Sequence, residues 1–505
     1  MREGNRLPSL AVPALASGYE YAPLSSTPST IPGSPSLSSP PLSEPPGTPW
    51  RTTFTPQHLK PPAPLSPARA RRTLPLALAL ALVALTLYLL AAPLHLSSLL
   101  DRARLASQRQ PCTAAEWSSG AWVPKDPPLP PNATAVDVLA ASGFKGVTQS
   151  WFKPAWFLHT KPGDWLTMGE DGYRWRAAQW AWEAGGRDVC RDEVGPTEGE
   201  ELLRELVERG GWLIVGDSLA EQHFFSLGCV LFPHVYVVWG AGWQEQHMYL
   251  SPDSPLVPSL ALPPSFDIAK TPLITNLRSD HGFAKPELIA IYESTPQSAE
   301  TPSSQLFTDY PVDSPPVEDY LRRFFAPEHR YRALVFSTAA HFTPREFAFP
   351  AGQSAIGTFF GAVAQRWVDL AARYLAEHEH GQGGGDGGGI EREIIVRGAS
   401  SGHDACHEHV GGPLNATERP VQESYNWAEI PRYNGIFADL VEKAGHPRLS
   451  YLSLERPSQL RPDAHSEDCL HYAVGTGVFE GWTDYIAYFL RSRWRGGDDP
   501  AAVDA

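Results

Sequence analysis

The feature that most constrains this chain is a short apolar run, Trp212-Leu213-Ile214-Val215, followed at once by Gly216-Asp217-Ser218 and then by Leu219 to Val230 with helical spacing. Four apolar residues without alternation predict a strand buried on both faces, and the glycine allows a tight turn into the helix. Such a unit places Ser218 at the carboxyl end of a strand, where ligands bind in open α/β sheets. The helix N-terminus also brings partial positive charge and unpaired N–H groups to that serine.

Other segments share the pattern. Glu200 to Gly210 predicts a helix that stops at Gly210-Gly211, and strand signals recur at Ala333 to Phe336, Glu393 to Val396 and, more weakly, Tyr451 to Leu454. Helical spacing covers Ala351 to Glu377, Tyr433 to Ala444 and Val478 to Arg491. Strands alternating with helices predict an α/β fold with a central parallel sheet. The glycine-rich segment 381–389 and the Pro/Ser-rich segment from Ser294 to Pro316 read as surface loops.

Residues 1–72 are rich in Pro, Ser and Ala and too poor in clustered apolar side chains to offset ordering entropy, so they read as a disordered cytoplasmic tail. Leu74 to Leu96 carries no formal charge and is long enough for a helix spanning a hydrocarbon core of roughly 30 Å. The expected organisation is a transmembrane anchor over 73–96, a stem over 97–111, a catalytic domain over 112–495 and a disordered tail over 496–505. Basic residues flank the run on both sides, so charge does not set its orientation. All five cysteines and both glycosylation sequons, at Asn132 and Asn415, follow the run. This predicts a single-pass type II protein of the Golgi or endoplasmic reticulum membrane with a lumenal domain. A net charge of −15 disfavours nucleic acid, which is held by clustered Lys and Arg.

The region from Cys112 to Cys190 is dense in tryptophan, including Trp117, Trp122, Trp180 and Trp182. Their expected role is core packing rather than a sugar-stacking surface. Asp468-Cys469-Leu470-His471 precedes the last helix. An aspartate three residues before a histidine orients the imidazole and leaves one nitrogen to take a serine proton, so Ser218, Asp468 and His471 form the candidate triad.

Together these segments resemble the PC-esterase group of the GDSL/SGNH hydrolase superfamily, which includes the trichome birefringence-like and fungal glycan O-acetyltransferases. Gly216-Asp217-Ser218-Leu219 is similar to the first block of that family. Asp468-Cys469-Leu470-His471-Tyr472 is similar to its terminal Asp-Cys-x-His-Trp signature, with Tyr in the aromatic position. Cys112 with Trp117, Gly120, Trp122 and Val123, and Tyr173-x-Trp175-Arg176 followed by Cys190, resemble its entry segments. The segments around Ile274 to His281, Arg397 to Cys406 and Tyr425 to Asn434 resemble fungal members, so that the likeness spans roughly residues 110 to 495. Two departures stand out: Phe336-Ser337-Thr338-Ala339-Ala340-His341-Phe342 lacks the asparagine of plant relatives, and Ala473 stands where some relatives carry cysteine.

The resemblance implies an SGNH-like three-layer fold and an acyl-serine mechanism. It implies O-acetyl transfer to polysaccharide or glycoprotein glycans, no bound cofactor, and acetyl-CoA or another acetyl donor as co-substrate. An esterase with the same triad and an idle glycan-binding scaffold are the competing readings. Besides the Ser218 N–H, the oxyanion-hole candidates are Gly240, Gly242, Asn276 and Ser337. Arg278, Asp280, His341 and His403 are candidate substrate contacts. His403-x-x-Cys406-His407-x-His409 has ligand types at close spacing, but a disulfide beside surface histidines suits the compartment, and no metal is expected. Spacing alone leaves the cysteine pairing open. Cys112–Cys190 and Cys406–Cys469, with Cys229 as a buried thiol, is the expected set: the first would bracket one subdomain and the second would tether the His471 loop.

Overall fold

The computed structural model describes residues 111–130, 173–240, 244–299, 301–312, 314–379, 390–409, 411–415, 417–419, 422–465 and 468–495. All of them belong to the compact unit formed by residues 91–505. The apolar run Leu74 to Leu96, Asn132, Gly242 and the two terminal tails lie outside the described residues. No helix among the described residues is long and apolar enough to cross a membrane.

In chain order the elements begin with α1 (Ala114–Ser118), β1 (Ala121–Pro124), α2 (Tyr173–Ala178), β2 (Trp180–Glu183), α3 (Asp188–Glu193) and α4 (Gly199–Glu208). Then come β3 (Gly211–Gly216), α5 (Ser218–Val230), β4 (Val235–Trp239), β5 (Glu245–Leu250), β6 (Ile274–Arg278), α6 (Lys285–Glu293) and α7 (Val317–Phe325). The last part holds β7 (Tyr331–Ser337), α8 (Gln353–Glu379), β8 (Glu393–Arg397), α9 (Ile430–Ala444), β9 (Leu449–Leu452), α10 (Glu455–Gln459) and α11 (Val478–Arg495).

β1 and β2 pair alone, while the other seven strands form one sheet in the order β4-β5-β6-β3-β7-β8-β9. From β6 to β9 every pairing is parallel. The expected all-parallel sheet is corrected at one edge, where β4–β5 and β5–β6 are antiparallel. The polar, alternating sequence of β5 (Glu-Gln-His-Met-Tyr-Leu) buries alternate positions, as an antiparallel strand near a sheet edge does.

The period of two in the central strands divides the core between two faces. Trp212, Ile214, Ala333, Val335 and Ile395 pack with apolar residues of α4, α5 and α11. Leu213, Val215, Leu334, Phe336, Ile394 and Val396 pack with those of α6, α7, α8 and α9. Helices therefore cover both faces in three layers, which is why β3, β7 and β8 read as near-continuous apolar runs.

The Trp-rich region is core where described: Trp117 and Trp122 are buried, and Trp180 and Trp182 pack against the same cluster. The disulfides are Cys112–Cys190 and Cys406–Cys469, with Cys229 buried and free. The Ser294 to Pro316 segment departs from a plain surface loop. Its Leu306 is fully buried, and the Tyr292 hydroxyl donates to the carbonyls of Gln297 and Thr301.

Candidate active site

Strand β3 is buried along its whole length and delivers Gly216 between β6 and β7, where it pairs with Arg278 and Ser337. A Cβ on Gly216 would stand 2.3 Å from the Ser337 carbonyl oxygen and 2.9 Å from the Cβ of Ala220, so only glycine fits. Asp217 then caps α5, its buried carboxylate accepting from the Leu219 N–H at 3.0 Å. Ser218 is the first helical residue, and its own N–H is one of the first-turn donors that have no carbonyl partner within the helix. Of the helix that follows, Leu219 to Val230 are all buried.

The second part of the site is the turn from Asp468 to His471. One Asp468 carboxylate oxygen accepts from the N–H groups of Leu470 (3.1 Å) and His471 (2.9 Å). The other meets His471 Nδ1 at 2.5 Å. Cys469, at φ 57°, occupies the left-handed region that is uncommon for a non-glycine residue. The turn is held there by the Cys406 disulfide and by the His403 N–H donating to the Cys469 carbonyl at 2.9 Å.

These pieces meet. His471 Nε2 lies 2.6 Å from Ser218 Oγ, completing a row from serine to imidazole to carboxylate. His471 is buried and Ser218 half-buried. With its Nδ1 proton directed to Asp468, the ring presents the Nε2 lone pair to the serine O–H. Burial alone would raise the Asp468 carboxyl, but the imidazole charge and three hydrogen bonds hold it well below the usual carboxylate range.

The other expected residues divide. Ser337 is buried beside Gly216 at the carboxyl end of β7, next to the serine turn. The Gly240 N–H is engaged by the Glu245 carbonyl at 2.8 Å, and the Asn276 amide donates to Gln246 at 2.6 Å. Asn276 also sits level with Ile214, two residues before Gly216, so neither is set out as an oxyanion donor.

Arg278, Asp280 and His341 belong to a polar network beside Ser218 in which Asp280 is buried and the other two are half-buried. Arg278 Nε meets Asp280 at 2.5 Å and its Nη1 meets Glu221 at 3.4 Å. His341 Nε2 is 3.5 Å from Asp280, and its Nδ1 is 2.7 Å from Glu346. Burial works against a charge on His341, but Asp280 and Glu346 overcome it and raise its pKa to about 9. Burial pushes the Glu221 carboxyl up to about 7, with Arg278 opposing. Glu221, Gln246 and Glu346 carry no motif and are visible only once the strands are assembled.

His403 departs from expectation. It is buried, not at the surface, and its two ring nitrogens meet His465 Nε2 at 2.5 Å and the Gln459 carbonyl at 2.8 Å. Its own N–H donates to the Cys469 carbonyl, so it braces the Asp468–His471 turn. Cys406, His407 and Cys469 lie close together, as do Cys112, Glu116 and Cys190. In both groups the sulfurs are bonded to each other, which removes the thiolates a metal would need.

No protein-family model matches the chain, and no curated protein does either. Among solved structures, Axe2, an acetylxylan esterase from Geobacillus stearothermophilus, aligns over 59% of this chain and 95% of that one at 11% identity. The TM-score is 0.23, too loose a superposition to argue from.

Proposed function

We propose that this chain is a serine-dependent acyl-transfer enzyme that works through an acyl-serine at Ser218, with His471 as base and Asp468 as its orienting partner. The observation that carries the proposal is the row of contacts from Ser218 Oγ through both nitrogens of His471 to Asp468. In the first half-reaction His471 Nε2 takes the serine proton as Oγ attacks the acyl carbonyl. The collapsing intermediate expels the donor's leaving group, which receives that proton from the imidazolium. In the second half-reaction His471 takes a proton from the incoming hydroxyl, whose oxygen displaces Ser218 Oγ, and returns it to the serine. The Ser218 N–H, at the positive end of α5, is suited to hold the oxyanion, with Ser337 beside it as the second candidate.

The likeness of Gly216 to Leu219 and Asp468 to Tyr472 to the PC-esterase blocks supports a narrower reading. The acyl group is acetyl, the donor is acetyl-CoA or another acetyl donor, and the acceptor is a hydroxyl of a polysaccharide or glycoprotein glycan. The two disulfides suit an oxidising lumen. With the apolar run Leu74 to Leu96 they support a type II protein of the Golgi or endoplasmic reticulum membrane.

The test is to incubate the full chain, purified in detergent, with labelled acetyl donors and a panel of glycans. Label reaching sugar supports transfer, and label reaching only water supports an esterase. Label reaching neither, with a Ser218 that fails to react with a fluorophosphonate probe, refutes the serine enzyme.

A further inference from the structure

Four large hydrophobic side chains are exposed among the described residues, and two of them, Trp239 and Tyr425, carry an indole or phenol ring. Trp239 ends β4 level in register with Ile214, two residues short of the turn at Gly216, and its ring lies against Phe225 of α5 at 6.2 Å. Tyr425 is the most exposed of the four, at 55%, and its φ of 52° lies in the left-handed region, an unfavourable place for a bulky side chain. Neither burial nor backbone preference accounts for a tyrosine there, and an outlier of this kind points toward function.

The segment around Tyr425 is pinned on two sides. On the side of the catalytic turn, the Glu423 and Ser424 N–H groups donate to one Asp404 carboxylate oxygen, the second at 3.2 Å. The Gln422 amide donates to the Gly402 carbonyl at 3.1 Å, and the Ser401 hydroxyl to the Trp427 carbonyl at 3.1 Å. On the side of β7, the Asn426 amide donates to the carbonyls of Ala339 (2.9 Å) and Phe342 (3.2 Å). Trp427 is buried, and a Cβ on Gly402 would stand 2.5 Å from its ring and 2.6 Å from the Cys469 carbonyl oxygen. The Tyr425 ring lies 5.3 Å from that of Trp427, so it is carried between the Asp468–His471 turn and the loop after β7, the two elements that flank Ser218. Ala405 and Cys469 share its left-handed backbone, so three of the four non-glycine residues of positive φ among the described residues adjoin one another here. Such conformations persist where the surrounding contacts enforce them.

We propose that Tyr425 is the platform of an acceptor subsite, its ring stacking on a neutral sugar unit that neighbours, in the same glycan chain, the unit carrying the reacting hydroxyl. This rests on the acyl-transfer reading of Ser218 and narrows its substrate class. The C–H bonds on one face of a pyranose meet the negative face of an aromatic ring, while the phenol hydroxyl at the ring edge stays with water or a sugar hydroxyl. The Tyr425 segment is bonded to the loop after β8, and β8 stands two strand positions from β3, about 10 Å. That exceeds the width of one pyranose. A single sugar therefore cannot set a hydroxyl at Ser218 and a face on Tyr425 together, whereas a short chain can. Charge sets the second limit: the half-buried Asp404 and the exposed Glu423 stand in the same pair of loops, which disfavours a polyanionic glycan.

The first test needs no turnover. Full-length Ser218→Ala protein in detergent is mixed with xylo-, manno- and cello-oligosaccharides of one to six units, and saturation-transfer NMR reads which sugar protons touch the protein. The longer chains of at least one series should take up saturation on ring C–H protons, and the monosaccharides far less. Tyr425→Asn on that background removes the ring with a residue type that tolerates positive φ, and should lower the signal roughly ten-fold, whereas Tyr425→Phe keeps the ring and should retain it. Binding that survives Tyr425→Asn, that Tyr425→Phe loses equally, or that is absent in every series overturns the platform. Oligogalacturonides of the same lengths are the charged probe and should bind more weakly; tighter binding overturns the neutral class.

The second test uses turnover. With Ser218 intact, kcat/KM for acylation or deacylation of these oligosaccharides should rise with chain length. In Tyr425→Asn that rise should vanish through KM, with kcat on the longer chains kept within about two-fold. An equal fold loss on p-nitrophenyl acetate, which is too short to reach Tyr425 from Ser218, would show that the residue holds the His471 turn instead and would overturn the subsite. Wild-type protein that is inert on every ester and unlabelled by a fluorophosphonate would sink the serine reading, leaving the binding test to decide on Tyr425.

Discussion

His471 Nε2 lies 2.6 Å from Ser218 Oγ although 253 residues separate them in sequence. No local propensity brings them together. The nucleophile helix reaches the histidine segment through Gln222, whose amide donates to the Tyr472 carbonyl at 3.2 Å. Cys406, beyond β8, is bonded to Cys469, two residues before the histidine. The row is thus fixed from the α5 side and from the β8 side at once.

Removal of each member of the row should cost activity unequally. Ser218→Ala eliminates the acyl-enzyme and should lower the rate by on the order of 10³ or more. His471→Ala should cost about as much, since an unassisted serine hydroxyl is a poor nucleophile near neutral pH. Asp468→Asn keeps the side-chain size but lets the ring take the wrong tautomer, so its loss should be smaller yet still large. Initial rates on p-nitrophenyl acetate, beside melting curves that show all three folded, check the order. A Ser218→Ala protein with most of its activity would promote the scaffold reading.

The two disulfides should separate stability from activity. Replacing Cys406 and Cys469 by serine should cost roughly 2–4 kcal/mol and also slow the reaction roughly ten- to a hundred-fold, because the Asp468–His471 turn loses its tether. Replacing Cys112 and Cys190 should cost similar stability with little change in rate, since that bond fastens the start of α1 to α3. Denaturant titrations and rates on the same samples test this. Equal rate losses from the two pairs would remove the tether argument.

The His341 network should be visible in stability against pH. The folded pKa of this imidazole, raised to about 9, exceeds its unfolded value. Its contribution is therefore complete below about pH 6.5 and is lost as the pH rises through about 9. The magnitude is on the order of 3 kcal/mol, counted once for His341 with Asp280 and Glu346. Unfolding free energies at pH 6 and pH 9.5 should converge in His341→Gln relative to wild type. A wild-type stability that rises across that window, relative to the variant, would contradict the assignment.

Much of the sheet was legible because parallel strands covered on both faces leave near-continuous apolar runs, as at Trp212 to Val215, Ala333 to Phe336 and Glu393 to Val396. Strand β9 was read two residues late, at Tyr451 to Leu454 instead of Leu449–Leu452. β6 gave no comparable signal, because Thr275 and Asn276 are buried polar residues in its middle. The Thr275 hydroxyl meets Tyr331 on β7 and His247 on β5, and the Asn276 amide N–H donates to Gln246 on β5. The three residues of the row were readable from their turns, each with its own local grammar. Glu221, Gln246, Glu346 and His465 were not, since what defines them is a partner on another element.

The narrowest tolerance near the site is at Gly216. Its φ lies outside the left-handed region that favours glycine, so the constraint there is space and not torsion. An added methyl would lie 2.3 Å from the Ser337 carbonyl oxygen, and backbone in a central parallel sheet cannot move aside without breaking its ladder. Gly216→Ala should therefore push β3 from β7 or tilt the start of α5, displacing Ser218 Oγ from His471 Nε2. A shift near 1 Å at a reacting atom can cost about a hundred-fold in rate. The expected outcome is a protein destabilised by roughly 1–3 kcal/mol, as for overpacking elsewhere, and slowed by about two orders of magnitude. Gly361→Ala, on the mid-helix surface of α8 with nothing within 4 Å of the added methyl, should change neither rate nor fold and serves as the control. Rates for Gly216→Ala within two-fold of wild type would show that the serine turn tolerates the added methyl and that the close approach of β7 does not fix the position of Ser218.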